Sequence, residues 1–230
     1  MDTKLKNSIK QIISTFETGI AAPNYSAVTI LPDGAGISYG RHQATDKSGN
    51  LDKIVYRYID LQGKYAKEMR PFLDELACNA TTHLDPKNLP LWCREFMEVL
   101  AKAGREDVLM AQAQEENIDA NYFNPAESES LKLGLTQALS YAVIFDTYIH
   151  SGPGGVPKIR RLFPEVPPVR SGDEREWTNA YVRARRAWLA SFPNPVVVKT
   201  TYRMDAFLDL IKKDNWDLRT PFVVRGQTIQ

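Results

Sequence analysis

The stretch AESESLKLGLTQALSYAVIFDTYIH, residues 126–150, is very apolar, and the rest of the 230-residue chain has to pack around it. Leu139, Ala142, Val143, Asp146 and Ile149 fall on one stripe at helical spacing. A helix that is apolar on nearly every face belongs in the middle of a domain, so the pattern predicts one long central helix here. Asp146 lies in that stripe. A buried carboxylate without a partner is very costly, so it requires a cation or hydrogen-bond donors from elsewhere in the chain. Two readings follow: a structural ion pair, or a group that supports a functional site.

The segments around it are also mainly helical. Leu5, Ile9, Ile12, Ile13 and Phe16 give a first helix over about residues 3–18, with Gly19 as its stop. YSAVTIL reads as a strand, PDGAG as a turn and ISYG as the return strand. Two helices follow, NLDKIVYRYIDLQ and YAKEMRPFLDELA, and then LPLWCREFMEVLAKAG and REDVLMAQAQEENIDANYF with Gly104 between them. After the central helix and the loop SGPGGVP come DEREWTNAYVRARRAWLASF, RMDAFLDLIKKDNW and an extended tail, TPFVVRGQTI. The fold class is α+β, mainly α: a hairpin lobe of about 20–62 and a helical lobe from the remainder, within one catalytic domain spanning 1–230.

Composition narrows the function. With 43% hydrophobic residues, 25% charged residues and a net charge of +1, the chain has no general pull toward nucleic acid or anionic lipid. No apolar run nears the ~20 residues that cross a bilayer, so neither a nucleic-acid partner nor membrane insertion is expected. The start, MDTKLKNSIKQIISTF, has no apolar core of a signal peptide, and synthesis in the cytoplasm is expected. Cys78 and Cys93, with His83 between them, lack the spacing of a zinc site, and free thiols or one disulfide are both open. No metal and no cofactor is expected.

Two acids near the N-terminus stand out. Glu17 lies four residues after Ile13 and eight after Ile9, at the border of the apolar face and in the last helical turn. Partial burial and the helix dipole both favour the protonated form there, the environment a general acid needs; a helix-end Glu in water is the plain alternative. Asp33 in Pro-Asp-Gly is by itself a turn residue. A hairpin packed across the end of the first helix would make the two acids a pair.

FETG…Y…LPDGAGISYGRHQ resembles the N-terminal signature of family 46 of the glycoside hydrolases, the chitosanases, which have a helix ending in an acid followed by a GDGRGYT-like turn. QALSYAVIFDTYIHSGPGG is similar to that family's central helix, and TTYRMDAFLDLIKKDNWDLRTPFVVRG to its C-terminal stretch. These pieces come in order over most of the chain; residues of about 65–125 carry no matching motif. The resemblance implies a lysozyme-like fold of two mainly helical lobes with a small sheet beside a substrate cleft. It implies Glu17 as general acid, Asp33 as the base that activates water, and Ser38 in the place of a Thr that helps position that water. Asp146 and Arg203 match members of a buried ion network behind the acid. The implied reaction is inverting hydrolysis of a β-1,4 bond.

Departures from that pattern bear on substrate. Ala35 replaces an Arg, and Asn50 replaces an acid that grips a glucosamine ammonium in several chitosanases. The variant DGAGISYGRHQATDKSGNL is similar to relatives among phage lysins and secreted effectors. Peptidoglycan is therefore the expected substrate, with bacteriolytic action outside the producing cytoplasm and a possible immunity or inhibitor partner. Chitosan is the alternative, and a non-catalytic glycan- or partner-binding module the second. Arg41, His42, Gln43 and Asp46 follow the hairpin as candidate substrate contacts, with Tyr39 a candidate sugar-stacking platform. Trp177, Tyr181, Trp188 and Phe192 recur at helical spacing as core positions, which leaves Arg183, Arg185 and Arg186 for a solvated face.

Overall fold

The computed structural model describes the backbone of residues 1–230 and every side chain except that of Leu31. The protein is mainly helical with a small antiparallel sheet. It divides into two compact units, one of Met1–Ala22 with Asn121–Gln230 and the other of Pro23–Ala120.

The second unit holds the hairpin. Strands β1 (Val28–Leu31) and β2 (Gly36–Tyr39) pair antiparallel with Leu31 opposite Gly36, so residues 32–35 form the turn, and β3 (Ala44–Thr45) pairs with the end of β2. Helices α2 (Asn50–Asp60), α3 (Ala66–Met69), α4 (Leu73–Ala77), α5 (Leu91–Glu106) and α6 (Val108–Ile118) complete it. Ile37, Tyr39, Leu51, Val55, Tyr58, Phe96, Leu100 and Met110 share its core. That core draws on α5 and α6, which is why the unit extends well beyond residue 62. Gly104 does not separate two helices, as its sequence position suggests, but lies inside α5. A Cβ there would sit 2.2 Å from the Tyr25 carbonyl oxygen, so the glycine permits close approach of the segment leading into β1. The break falls at Asp107, whose side chain caps α6 by accepting from the Leu109 N–H.

The first unit contains α1 (Thr3–Thr18), α7 (Asn124–Lys132), α8 (Ala138–Ser151), α9 (Gly155–Arg160), α10 (Glu174–Ala190), α11 (Pro195–Val198) and α12 (Tyr202–Lys212). Gly19, at φ +78°, ends α1 as the spacing predicts, and Asp2 caps its start by accepting from the Leu5 N–H. Helix α8 is the central element: from Ala138 to Tyr148 every residue except Tyr141 is buried. The single long helix expected over 126–150 is in fact two. Gly134 turns the chain at φ +78°, and the Glu174 carboxylate accepts from the Thr136 and Gln137 N–H groups, giving α8 its start. The tail is a hairpin of β4 (Phe222–Val224) and β5 (Gln227–Ile229) rather than a single extended strand.

Candidate active site

The end of α1 is fastened to the start of α12. The Tyr202 hydroxyl donates to the Phe16 carbonyl at 2.6 Å, and the Arg203 guanidinium lies 5.1 Å from the centre of the Phe16 ring. Arg203 Nη1 then reaches Glu17 Oε1 at 2.7 Å. Glu17 keeps 31% of its side chain exposed, whereas Arg203 keeps 2%. The acid at the helix end therefore faces solvent on one side and a buried cation on the other, a partner that helix spacing alone does not provide.

Behind Arg203 lies Asp146, fully buried in α8. Its Oδ1 accepts from Arg203 Nε at 2.9 Å and Nη2 at 2.6 Å, and its Oδ2 from Arg185 Nη1 at 2.5 Å. Burial works against the charge of this carboxylate, but the Arg203 and Arg185 charges outweigh it and hold Asp146 below its ordinary range. For Arg203 the same contest, burial against the charges of Asp146 and Glu17, ends with the guanidinium held more firmly protonated. The chain Arg185–Asp146–Arg203–Glu17 alternates basic and acidic groups from the core out to solvent.

Arg185 is the member that sequence reasoning misses. It was expected on a solvated face, yet it is fully buried. The signal was present: Trp177, Tyr181 and Arg185 recur every four residues on α10, and the first two are buried and stacked at 5.2 Å. Arg186, one step round the helix, is exposed and pairs with Asp205 at 2.5 Å. Trp188 and Phe192 depart from the core expectation in the other direction. Half-buried, with ring centres 4.8 Å apart, they line a surface cavity of about 390 Å³ with His150, Lys158 and Val197. Lys158 Nζ stands 4.9 Å from the Trp188 ring centre.

His150 is pushed down to about 4 by burial and then by the Arg203 and Arg185 charges, with Asp146 pulling the other way. The folded protein thus resists protonating it, so stability rises with pH through the window from about 4 to the ordinary histidine value of 6.5. Urea midpoints measured across that window should flatten in His150→Asn; an unchanged slope would assign the dependence to other groups.

In the other unit, Asp33 is exposed in the β1–β2 turn and its Oδ1 accepts from the Ala35 N–H at 3.0 Å, with Gly34 beside it at φ +75°. Ser38, 2% exposed, donates to Gln43 Oε1 at 2.8 Å; Gln43 holds the left-handed φ of 54° and donates back to the Gly40 carbonyl at 3.3 Å. Tyr39 is no stacking platform: it is fully buried, with its hydroxyl donating to the Leu100 carbonyl at 2.8 Å. Arg41 is an internal strut, 5% exposed, bonded to Glu115 Oε1 at 2.5 Å through Nη1 and to Gln114 Oε1 at 3.0 Å through its N–H. Asp46 is buried too, while Asn50 sits 9% exposed at the start of α2. Of the candidate contacts after the hairpin, His42 and Gln43 are half-buried.

The model of glycosyl hydrolase family 46 matches residues 11–222. A chitosanase of Bacillus subtilis (strain 168) is 28% identical over 233 residues, covering 96% of this chain and 82% of its own. A chitosanase of a Streptomyces species is 28% identical over 207 residues, covering 86% and 69%. The crystal structure of a mutant chitosanase from Bacillus subtilis MY002, complexed with 6 GlcN, superposes with a TM-score of 0.81 at 24% identity over the whole of both chains, which establishes the shared fold. The protein is a glycoside hydrolase and belongs to family 46.

Proposed function

We propose that this enzyme cleaves β-1,4 linkages of chitosan with inversion, Glu17 acting as general acid, Asp33 as general base and Ser38 helping to place the water. The observation that carries the reading is the ion chain running from buried Asp146 through Arg203 to a solvent-facing Glu17. A rigid cation on Oε1 fixes the carboxyl and leaves Oε2 to deliver a proton to the leaving oxygen. Asp33 stands exposed in the turn, open to the water from which it would take a proton. Both curated relatives named above are chitosanases, and nothing in the comparisons supports peptidoglycan, a bacteriolytic role or an immunity partner, so chitosan displaces peptidoglycan as the leading substrate. A polymeric substrate also requires action outside the producing cytoplasm. His42, Gln43 and the Trp188 cavity are the remaining candidates for sugar contact.

Soluble-sugar release from chitosan and from purified sacculi, followed by proton NMR of the fresh products, tests this reading. Chitosan oligomers with the α anomer at the new reducing end are expected, and Asp33→Asn should slow their release by about 10²–10⁴-fold. Release from sacculi alone would overturn the substrate, and a wild-type rate in Asp33→Asn would overturn the base.

A further inference from the structure

Asp33 itself is held by little more than its own turn, yet the strand that follows is anchored with unusual care. Asp46 is fully buried, and its Oδ2 accepts both the Thr81 N–H at 3.2 Å and the Thr81 hydroxyl at 2.5 Å. The Thr81 oxygen in turn accepts the Ile37 N–H at 2.9 Å, and the Asp46 N–H donates to the Ile37 carbonyl at 3.0 Å. Both polar groups of the Ile37 backbone are thus engaged by one pair of residues, between Asp33 and Ser38. The Lys47 N–H extends the clamp to the Ala35 carbonyl at 3.2 Å, inside the turn.

The neighbouring glycine fits the same arrangement. A Cβ on Gly36 would meet the Thr81 hydroxyl at 2.4 Å and Asp46 Cβ at 2.9 Å, and its φ is +75°. The turn therefore leaves the sheet through a residue that only glycine can be, pressed directly against the clamp. Among the described residues no ion pair involves Asp46, and its Oδ1 has no hydrogen-bond partner. Burying such a group costs stability that an apolar residue would not. Its return is a fixed acceptor that orients the Thr81 hydroxyl toward the Ile37 N–H.

We propose that Thr81 and Asp46 are positioning residues that set the β1–β2 turn, and with it Asp33, in the geometry the reaction needs. This rests on the reading of Asp33 as general base. Neither residue touches substrate; each acts through the Ile37 backbone.

Chitosan hydrolysis and thermal unfolding, measured on Thr81→Val, Thr81→Ser, Asp46→Asn and the double variant Thr81→Val with Asp33→Asn, test the proposal. Valine keeps the shape but removes the hydroxyl, and a displacement near 1 Å costs up to about 10²-fold. Thr81→Val should therefore lose roughly 10- to 100-fold in kcat with KM within about twofold. Thr81→Ser keeps the hydroxyl and Asp46→Asn keeps a side-chain carbonyl acceptor, so both should recover most of kcat. Because the clamp acts through Asp33, the double variant should be no slower than Asp33→Asn alone. Wild-type kcat in folded Thr81→Val, a loss confined to KM, or losses that multiply in the double variant would overturn the proposal. Should Thr81→Val fail to fold, kcat in Thr81→Ser and Asp46→Asn decides: a loss of 10-fold or more in both, with the clamp's bonds still available, overturns it. A wild-type rate in Asp33→Asn alone refutes the base assignment whatever Thr81 does, so the two failures are distinguishable.

Discussion

Replacing Glu17 by Gln should lower the rate of chitosan hydrolysis by about 10²–10⁴-fold while leaving the protein folded, the loss expected when a general acid is removed. The structural argument for intact folding is specific. Glu17 is the solvent-facing end of the ion chain, so water can reach the side of the pair that loses its charge, and the cost should be smaller than that of breaking a wholly buried pair. Arg203 loses one ionic contact but keeps two bonds to Asp146 Oδ1, so each buried guanidinium still has a carboxylate partner, although their two charges now share one. Glutamine also retains an oxygen for Arg203 Nη1. Initial rates of reducing-end release, set beside melting curves of the same preparation, make the test. Activity near wild type in the folded variant would remove Glu17 from the chemistry. Activity lost together with a melting point far below wild type would instead make Glu17 a structural group.

The parts of this fold that could be read in advance are those where spacing and local chemistry agree. Helix α1 has an Asp cap, a clean apolar stripe and a glycine stop, and all three specify one element. The hairpin turn was equally legible, because Pro-Asp-Gly has a local mechanism. The failures share a different cause. Gly134 and Gly104 are both glycines within helical patterns, yet one breaks a helix and the other does not. What decides is distant: Glu174 caps a new helix after Gly134, and the Tyr25 backbone fills the space beside Gly104. Residue identity carries no trace of which neighbour will arrive. The site shows the same divide. Asp146 announced that it needed a cation and the family resemblance pointed to Arg203, which is bonded to it, but Arg185 was hidden among arginines expected on a solvated face. Tyr39 and Arg41 looked available because they follow a turn; in fact Leu100 and Glu115 hold them inside. Thr81, some forty residues from the hairpin it anchors, left no local signal at all.

The largest effect on stability should come from Asp146→Asn. The substitution keeps the shape of the side chain and removes its charge from between two guanidinium groups, of which Arg185 is fully buried and Arg203 2% exposed. Glu17 offsets only Arg203, from the solvent side, so Arg185 is left as an unbalanced buried cation. Breaking a buried pair in this way costs about 3–5 kcal/mol. For a chain of this size each kcal/mol moves the melting temperature by roughly 2–4 °C, so a fall of about 6–20 °C is expected by calorimetry at pH 7. The pH dependence gives a sharper test. The folded-state value of Asp146 is depressed below its ordinary 3.8, so its contribution is fully present above that value and is lost as pH falls through the folded one. The gap between wild type and variant should therefore hold constant from pH 5 to pH 8 and close only below about pH 4. A gap already narrowing at pH 6 would mean that the charge of Asp146 is not what holds the two arginines. Activity should fall along with stability, because Arg203 then loses the anchor from which it presents itself to Glu17.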